Sequence, residues 1–248
     1  LRSNRDSLTL GSHGGYRVAS KERPPLRVVI SDPAGGKTVV KVKVKGVDNI
    51  PFRDSMMKTK EKERTELPIA KINEKLFKQL NLEPTKVMTL RLRIDNKKLK
   101  IPFKVEVDDT VPDGEVWVSN GLLSEVASVS ETEAEAFRAQ SWQLAVGDQV
   151  VRRLVGFEIG DVIDGSLFSL PNIKLKITGG TDASGIPMHP GVPGTSRREV
   201  LLSGPPGFKP KRSGEKRRKS VRGRMIPDPS AERRKTALAQ LNLTIVYE

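Results

Sequence analysis

The chain has 248 residues, a formal net charge of +14, 36% hydrophobic and only 4% aromatic residues, and a pI near 10. That length suits one large domain or two small ones. The absence of cysteine excludes disulfides and thiolate metal sites, the two histidines, His13 and His189, stand too far apart to seed a metal centre, and no apolar run reaches the roughly 20 residues of a membrane span.

Taken in chain order, residues 1–25 read as an N-terminal extension without regular structure. They have no apolar core of the kind that marks a secretory signal, so the expected setting is cytoplasmic. The next stretch, "LRVVISDPAGGKTVVKVKVKGV", predicts a hairpin: a strand from Leu26 to Ile30, a Pro/Gly turn at Asp32–Gly36, and a longer second strand. In that second strand Val40, Val42 and Val44 alternate with Lys41, Lys43 and Lys45. Period-two alternation sends the valines to a core and the lysines to one open face, either solvated or a binding surface.

The turn itself, "SDPAGGKT" (31–38), approaches a phosphate-binding loop but has Ser31 where the first glycine should stand. A strand rather than a helix follows it, so no helix N-terminus is available to hold a phosphate. An NTPase using residues 31–38 is therefore the weakest of the functional readings.

A charged linker, "SMMKTKEKERTE", opens the middle of the chain. "PIAKINEKLFKQLNL" predicts a short helix with Asn73 as N-cap and Leu76, Leu80 and Leu82 clustered. "VMTLRLRI" and "KKLKIPFKVEV" read as strands joined at Asp95–Asn96, "EVWVS" as a strand, "NGLLSEVA" as a helical turn, "SETEAEAF" as helix and "SWQLAV" as strand. Residues 55–148 thus form an α+β module. Asp108, Asp109, Asp161 and Asp164 sit at turns with no base beside them, so turn chemistry explains them better than acid–base catalysis. No catalytic residue, metal ligand or cofactor is expected.

From Val150 the pattern is β again. "VVRRLVGFEIGDVIDGSLFSL" and "IKLKITGG" are short strands broken by glycine, as in a small barrel. A long Gly/Pro loop, the strand "REVLLSG" and a basic segment follow, and "LNLTIVYE" closes the chain as a strand.

The charge is unevenly placed. Residues 55–148 carry 15 Lys/Arg and 16 Asp/Glu, whereas the rest of the chain carries 29 and 14. Residues 206–235 alone hold 12 basic and 3 acidic residues. Lysine and arginine supply the sequence-independent part of nucleic-acid affinity, and arginine adds a planar fork for phosphate. An internal segment of such density repels itself unless a polyanion lies against it. RNA is the expected partner, read through backbone and shape given the few aromatics.

Three blocks carry a family resemblance: "VVISDP", "GFEIGDVIDGSLFSLPNIKLKITGGTDASGIPM" and "RREVLLSGPPGFKPKRSGEKRRKSVRG". They resemble the small-subunit ribosomal protein six of the archaeal–eukaryotic type, in its archaeal form with an internal insertion. The resemblance spans about 26–54 and 150–223, with "LNLTIVYE" similar to the family's closing strand. It departs at Arg224-Met225, where the family usually has Asn-Thr, and residues 1–25 have no counterpart in it. The insertion also faintly resembles half of a double-psi barrel.

The resemblance implies a structural, non-enzymatic constituent of the small ribosomal subunit, with small-subunit rRNA and neighbouring ribosomal proteins as partners. A ribosome-associated RNA chaperone or translation factor is the alternative. The implied rRNA-binding residues are Lys209, Lys211, Arg212, Lys216, Arg217, Arg218, Lys219, Arg222 and Arg224, aided by Lys174, Lys176, Arg197 and Arg198. The expected fold is mainly β, a small split β-barrel with an inserted α+β module and basic extended segments. Its divisions are 1–25, the N-terminal extension; 26–54 with 149–205, the split barrel; 55–148, the module, facing solvent or a protein; 206–240, the basic rRNA-binding segment; and 241–248, the closing strand.

Overall fold

The computed structural model describes residues 25–53, 55–56, 64–94, 97–127, 131–231 and 236–247. Nearly all of the N-terminal extension, most of the charged linker and the Asp95–Asn96 turn lie outside them. In chain order the elements are β1 (Leu26–Ser31), β2 (Val39–Val47), β3 (Ile69–Ile72), α1 (Glu74–Gln79), β4 (Val87–Ile94), β5 (Lys97–Val107) and β6 (Glu115–Ser119). Then come α2 (Asn120–Ala127), β7 (Glu131–Arg138), β8 (Ser141–Val146), α3 (Asp148–Leu154), β9 (Val162–Asp164), β10 (Lys174–Asp182), β11 (Arg197–Leu202), β12 (Arg217–Arg222) and β13 (Leu238–Val246).

The protein is mainly β, with a closed barrel, but the barrel occupies other residues than expected. It runs β2-β6-β3-β5-β4-β7, closing β7 onto β2, so it is built from the middle of the chain together with β2. The flanking strands instead form an open sheet in the order β8-β1-β13-β10-β9. The parallel pairing of β1 with β13 brings the two ends of the described chain side by side. Each unit has its own core: Val42, Leu90, Phe103, Val116 and Leu122 are among those filling the barrel, and Val28, Ile30, Leu175, Leu241 and Leu243 lie beneath the sheet. Full burial of one such side chain contributes about 1.5–3 kcal/mol.

The hairpin expected over 26–47 is absent, because β1 pairs with β8 and β13 whereas β2 pairs with β6 and β7. The Asp32–Gly36 turn is where the chain crosses from sheet to barrel, beside the return crossing at Arg138–Gln140. Asp32 N–H donates to the Gln140 carbonyl at 2.7 Å and Gly36 N–H to the Arg138 carbonyl at 2.9 Å. A Cβ on Gly35 would stand 2.4 Å from the Ala139 carbonyl oxygen, so the approach of the two crossings requires glycine. The Asp32 carboxylate, fully buried, pairs with Arg138 Nε at 2.7 Å. Tyr247 donates its hydroxyl to Asp32 Oδ1 at 2.6 Å, and Arg138 Nη1 reaches the Asn81 carbonyl at 3.0 Å. Burial, first of all, and the bond to Asp32 push the Tyr247 hydroxyl well above its ordinary pKa.

Helix α1 forms as expected, with Asn73 accepting from Lys75 N–H at 3.1 Å and Leu76, Leu80 and Leu82 buried. "SETEAEAF" is strand β7 rather than helix. Its glutamates point out, Ala134 and Ala136 point into the barrel, and the alternation has period two, not 3.6. "DQVVRRL" is helix α3 rather than strand: Gly147 caps it, and Val151 and Leu154, three apart, share the buried side.

Candidate nucleic-acid interface

The basic stretch is half of a β-ribbon. Strand β11 pairs antiparallel with β12, Arg197 opposite Arg222 and Leu202 opposite Arg217, and residues 203–216 connect them. Directly opposed residues share a face. Arg198, Lys219 and Arg217 therefore project with Val200, Leu202 and Val221, while Arg218 projects with Leu201 from the other face. Val192, Leu202 and Val221 form a small core of their own, against which Val200 and Phe208 pack. This apolar cluster explains why so charged a segment has a defined shape.

The root of the ribbon is sewn to the sheet unit. Arg222 N–H donates to the Pro187 carbonyl at 2.9 Å, Gly223 N–H to that of Ser196 at 2.9 Å and Ile226 N–H to that of Phe157 at 2.9 Å. A Cβ on Gly223 would lie 1.9 Å from the Gly194 carbonyl oxygen, so no other residue fits there without backbone movement. The fully buried Asp182, in the Gly-rich "TGGTDASG" loop, accepts from Ser184 and Ile186 N–H groups, both at 2.9 Å. Its second oxygen accepts from Arg197 Nε at 2.7 Å, with Nη2 of the same guanidinium 2.6 Å away. The loop thus sets the position at which β11 begins.

The expected binding residues divide into two groups. Lys209, Lys211, Arg212, Lys216, Arg217, Arg218, Lys219 and Arg198 are all exposed on the ribbon or its connecting loop. Two acids lie among them: Glu199 on β11, exposed opposite Ser220, and Glu215, which accepts from Lys211 N–H at 2.8 Å and lies 3.3 Å from Arg217. Lys174 and Lys176 are exposed on the outward face of β10. Three arginines bond to the fold itself, Arg222 buried and the Arg197 and Arg224 side chains still 30% and 41% exposed. Arg222, expected to bind, is only 2% exposed, and its guanidinium donates to the Thr236 carbonyl. Arg197 is spent on Asp182 and on Ser184, which accepts at 3.0 Å. Arg224 pairs with Glu158 at 2.6 Å. Nothing in "RRKSVRG" distinguishes Arg222 from its neighbours, since the carbonyl it bonds belongs to Thr236, 14 residues later.

Lys41, Lys43 and Lys45 prove to be a face set against acids rather than a bare cationic one. They lie directly opposite Glu135, Glu133 and Glu131 of β7, with Lys45 and Glu131 3.6 Å apart. Among the described residues there is no group of three or more His, Cys, Asp or Glu that could hold a metal. In the "SDPAGGKT" turn, Lys37 is exposed and a strand follows.

A two-stranded ribbon with cations exposed along it, hydrogen-bonded at its root to the sheet unit, defines the site. The family model described as Ribosomal protein S6e matches residues 133–248. The small ribosomal subunit protein eS6 of Aeropyrum pernix is 61% identical over 92% of this chain and 97% of its own length. Those of Hyperthermus butylicus and Sulfolobus acidocaldarius are 41% and 42% identical, over 90% and 82% of this chain and 98% and 93% of theirs. The chain belongs to the ribosomal protein S6e family. Among solved structures, the rationally designed mkDPBB_sym1 protein aligns in full with 41% of this chain, at a TM-score of 0.28 and 14% identity.

Proposed function

We propose that the chain is a structural protein of the small ribosomal subunit that holds rRNA through the β11–β12 ribbon. The family supports the coarse role, and with it a place among rRNA and other ribosomal proteins. No described helix is long and apolar enough to cross a membrane. One observation carries the finer reading: a ribbon with its own apolar cluster and a hydrogen-bonded root presents Arg198, Lys209, Lys211, Arg212, Lys216, Arg217, Arg218 and Lys219 to the outside together.

Such a surface binds phosphates, and both of its faces can do so. Each neutralised phosphate releases counterions, so the affinity carries its own signature in salt. Arg217 and Arg218 supply forked, two-donor contacts, and the lysines act as point charges. Lys174 and Lys176 extend the surface from the sheet. Arg197, Arg222 and Arg224 serve by fixing the root.

The test is a salt titration of the full chain on small-subunit rRNA. Replacing Arg217, Arg218 and Lys219 by alanine should lower the slope of log affinity against log salt by up to about three. An unchanged slope would count against phosphate contacts in the ribbon.

A further inference from the structure

The barrel carries two rows of lysines in very different company. On β2 each of Lys41, Lys43 and Lys45 faces a glutamate of β7 across the strand pair. On β5 the partners are reversed in sign: Lys98 stands opposite Arg93 and Lys100 opposite Arg91, while Lys104 stands opposite Val87. Directly opposed side chains have Cβ atoms roughly 4.5–5.5 Å apart, and like charges so placed are destabilising. The acid that could relieve them, Glu135, is taken by Arg91 at 2.7 Å and Arg93 at 2.6 Å. Lys98, Lys100 and Lys104 remain exposed, with no acidic partner among the described residues.

The row does not stop at the barrel. Lys104 opens onto a cleft of about 800 Å³ between barrel and sheet, lined also by Lys86 and by Lys174 of β10. Lys176 follows on the same outward face of β10. Glu66 and Glu83 also line the cleft, and Glu66 lies 3.9 Å from Arg53.

We infer that this row, Lys98, Lys100 and Lys104 continued by Lys86, Lys174 and Lys176, is a second contact for the phosphate backbone of rRNA. A strand face that opposes like charges is less stable alone than one that alternates them, and the same barrel shows on β2 and β7 that alternation was available. A polyanion laid along the row removes the repulsion. Lysines two apart on one strand recur at roughly 6.6 Å, reaching successive points along an extended partner. The outward face of β5 holds Pro102 and Glu106 besides its lysines, and Phe137 and Trp142, which line a pocket with Lys100 and Pro102, are buried, so the row offers none of the exposed aromatic anchors that protein partners use. The inference rests on the rRNA-binding reading and extends it to the barrel, which the sequence expected to face away from RNA.

The test compares two full-length variants on deproteinised small-subunit rRNA across a salt series. The triple variant Lys98→Gln, Lys100→Gln, Lys104→Gln should lower the salt slope by about two to three, and its effect should add to that of the ribbon variant. Its thermal midpoint should stay level or rise, which separates lost contacts from lost folding. A slope lowered by the ribbon variant but not by this one overturns the inference and leaves the ribbon's role intact. Slopes lowered by neither overturn both. Undiminished rRNA binding, with loss of a cross-link to another ribosomal protein in the whole subunit, assigns the row to a protein and also overturns it.

Discussion

Strands β2 and β12 are both rich in cations, yet they sit in opposite electrostatic settings. β2 lies inside a closed barrel, where β7 places a glutamate opposite each of its lysines and the valines between them fill a core. β12 lies in a two-stranded ribbon, where its partner β11 offers Leu202, Leu201 and Val200 opposite Arg217, Arg218 and Lys219. A row of lysines in a sequence therefore says little about binding until its cross-strand partner is known. What makes a surface cationic is the strand next to it.

The largest effect in stability is expected at the seam that carries the barrel on the sheet. Asp32→Ala would leave the Arg138 guanidinium, 6% exposed, buried without its carboxylate, at a cost of about 3–5 kcal/mol. Urea unfolding measures it, and Asp32→Ala combined with Arg138→Met should recover much of the loss.

A smaller effect breaks the comparison itself. Changing Glu131 and Glu133 to glutamine, with Glu135 left to hold Arg91 and Arg93, should make most of the β2 face cationic, as on β12. Each cross-strand pair contributes about 0.2–1 kcal/mol, so the barrel should lose up to about 2 kcal/mol while non-specific RNA affinity rises. Unfolding and filter binding of the same sample report both; a stable variant with unaltered RNA affinity would mean that the ladder does not neutralise this face.

The smallest effect is in acid. The Thr110 hydroxyl, with the Lys71 ammonium at 2.9 Å and the Thr110 N–H, holds the Asp108 carboxyl at about 2, below its ordinary 3.8. A lowered carboxyl pKa gives stability that is present above about 4 and lost as pH falls toward 2. Asp108→Asn should remove that contribution at neutral pH and flatten the dependence of stability on pH in that window, so that the two proteins converge as pH falls toward 2.

Local signals were legible in the sequence, and pairing was not. Asn73 as N-cap, the strands "VMTLRLRI" and "EVWVS", and the concentration of charge in 206–235 all follow from neighbours within a few residues. The barrel's membership depends on which strands meet, and β2 joining β6 and β7 rather than β1 is a contact across about 70 to 100 positions that no short pattern encodes. The same limit hid Arg222, whose partner Thr236 comes from the chain beyond the ribbon. It also hid the row on β5, since "KKLKIPFK" looks no more basic than "KVKVK" until the opposing strands are known.

In our proposal the ribbon holds the protein on the small subunit. Sedimenting small subunits through a sucrose gradient at moderate salt, with the full-length protein and its Arg217→Ala, Arg218→Ala, Lys219→Ala variant compared, tests it most directly. The unaltered protein should travel with the particle and the variant should be released to the top of the gradient. Release of the unaltered protein, or equal retention of both, would contradict the account.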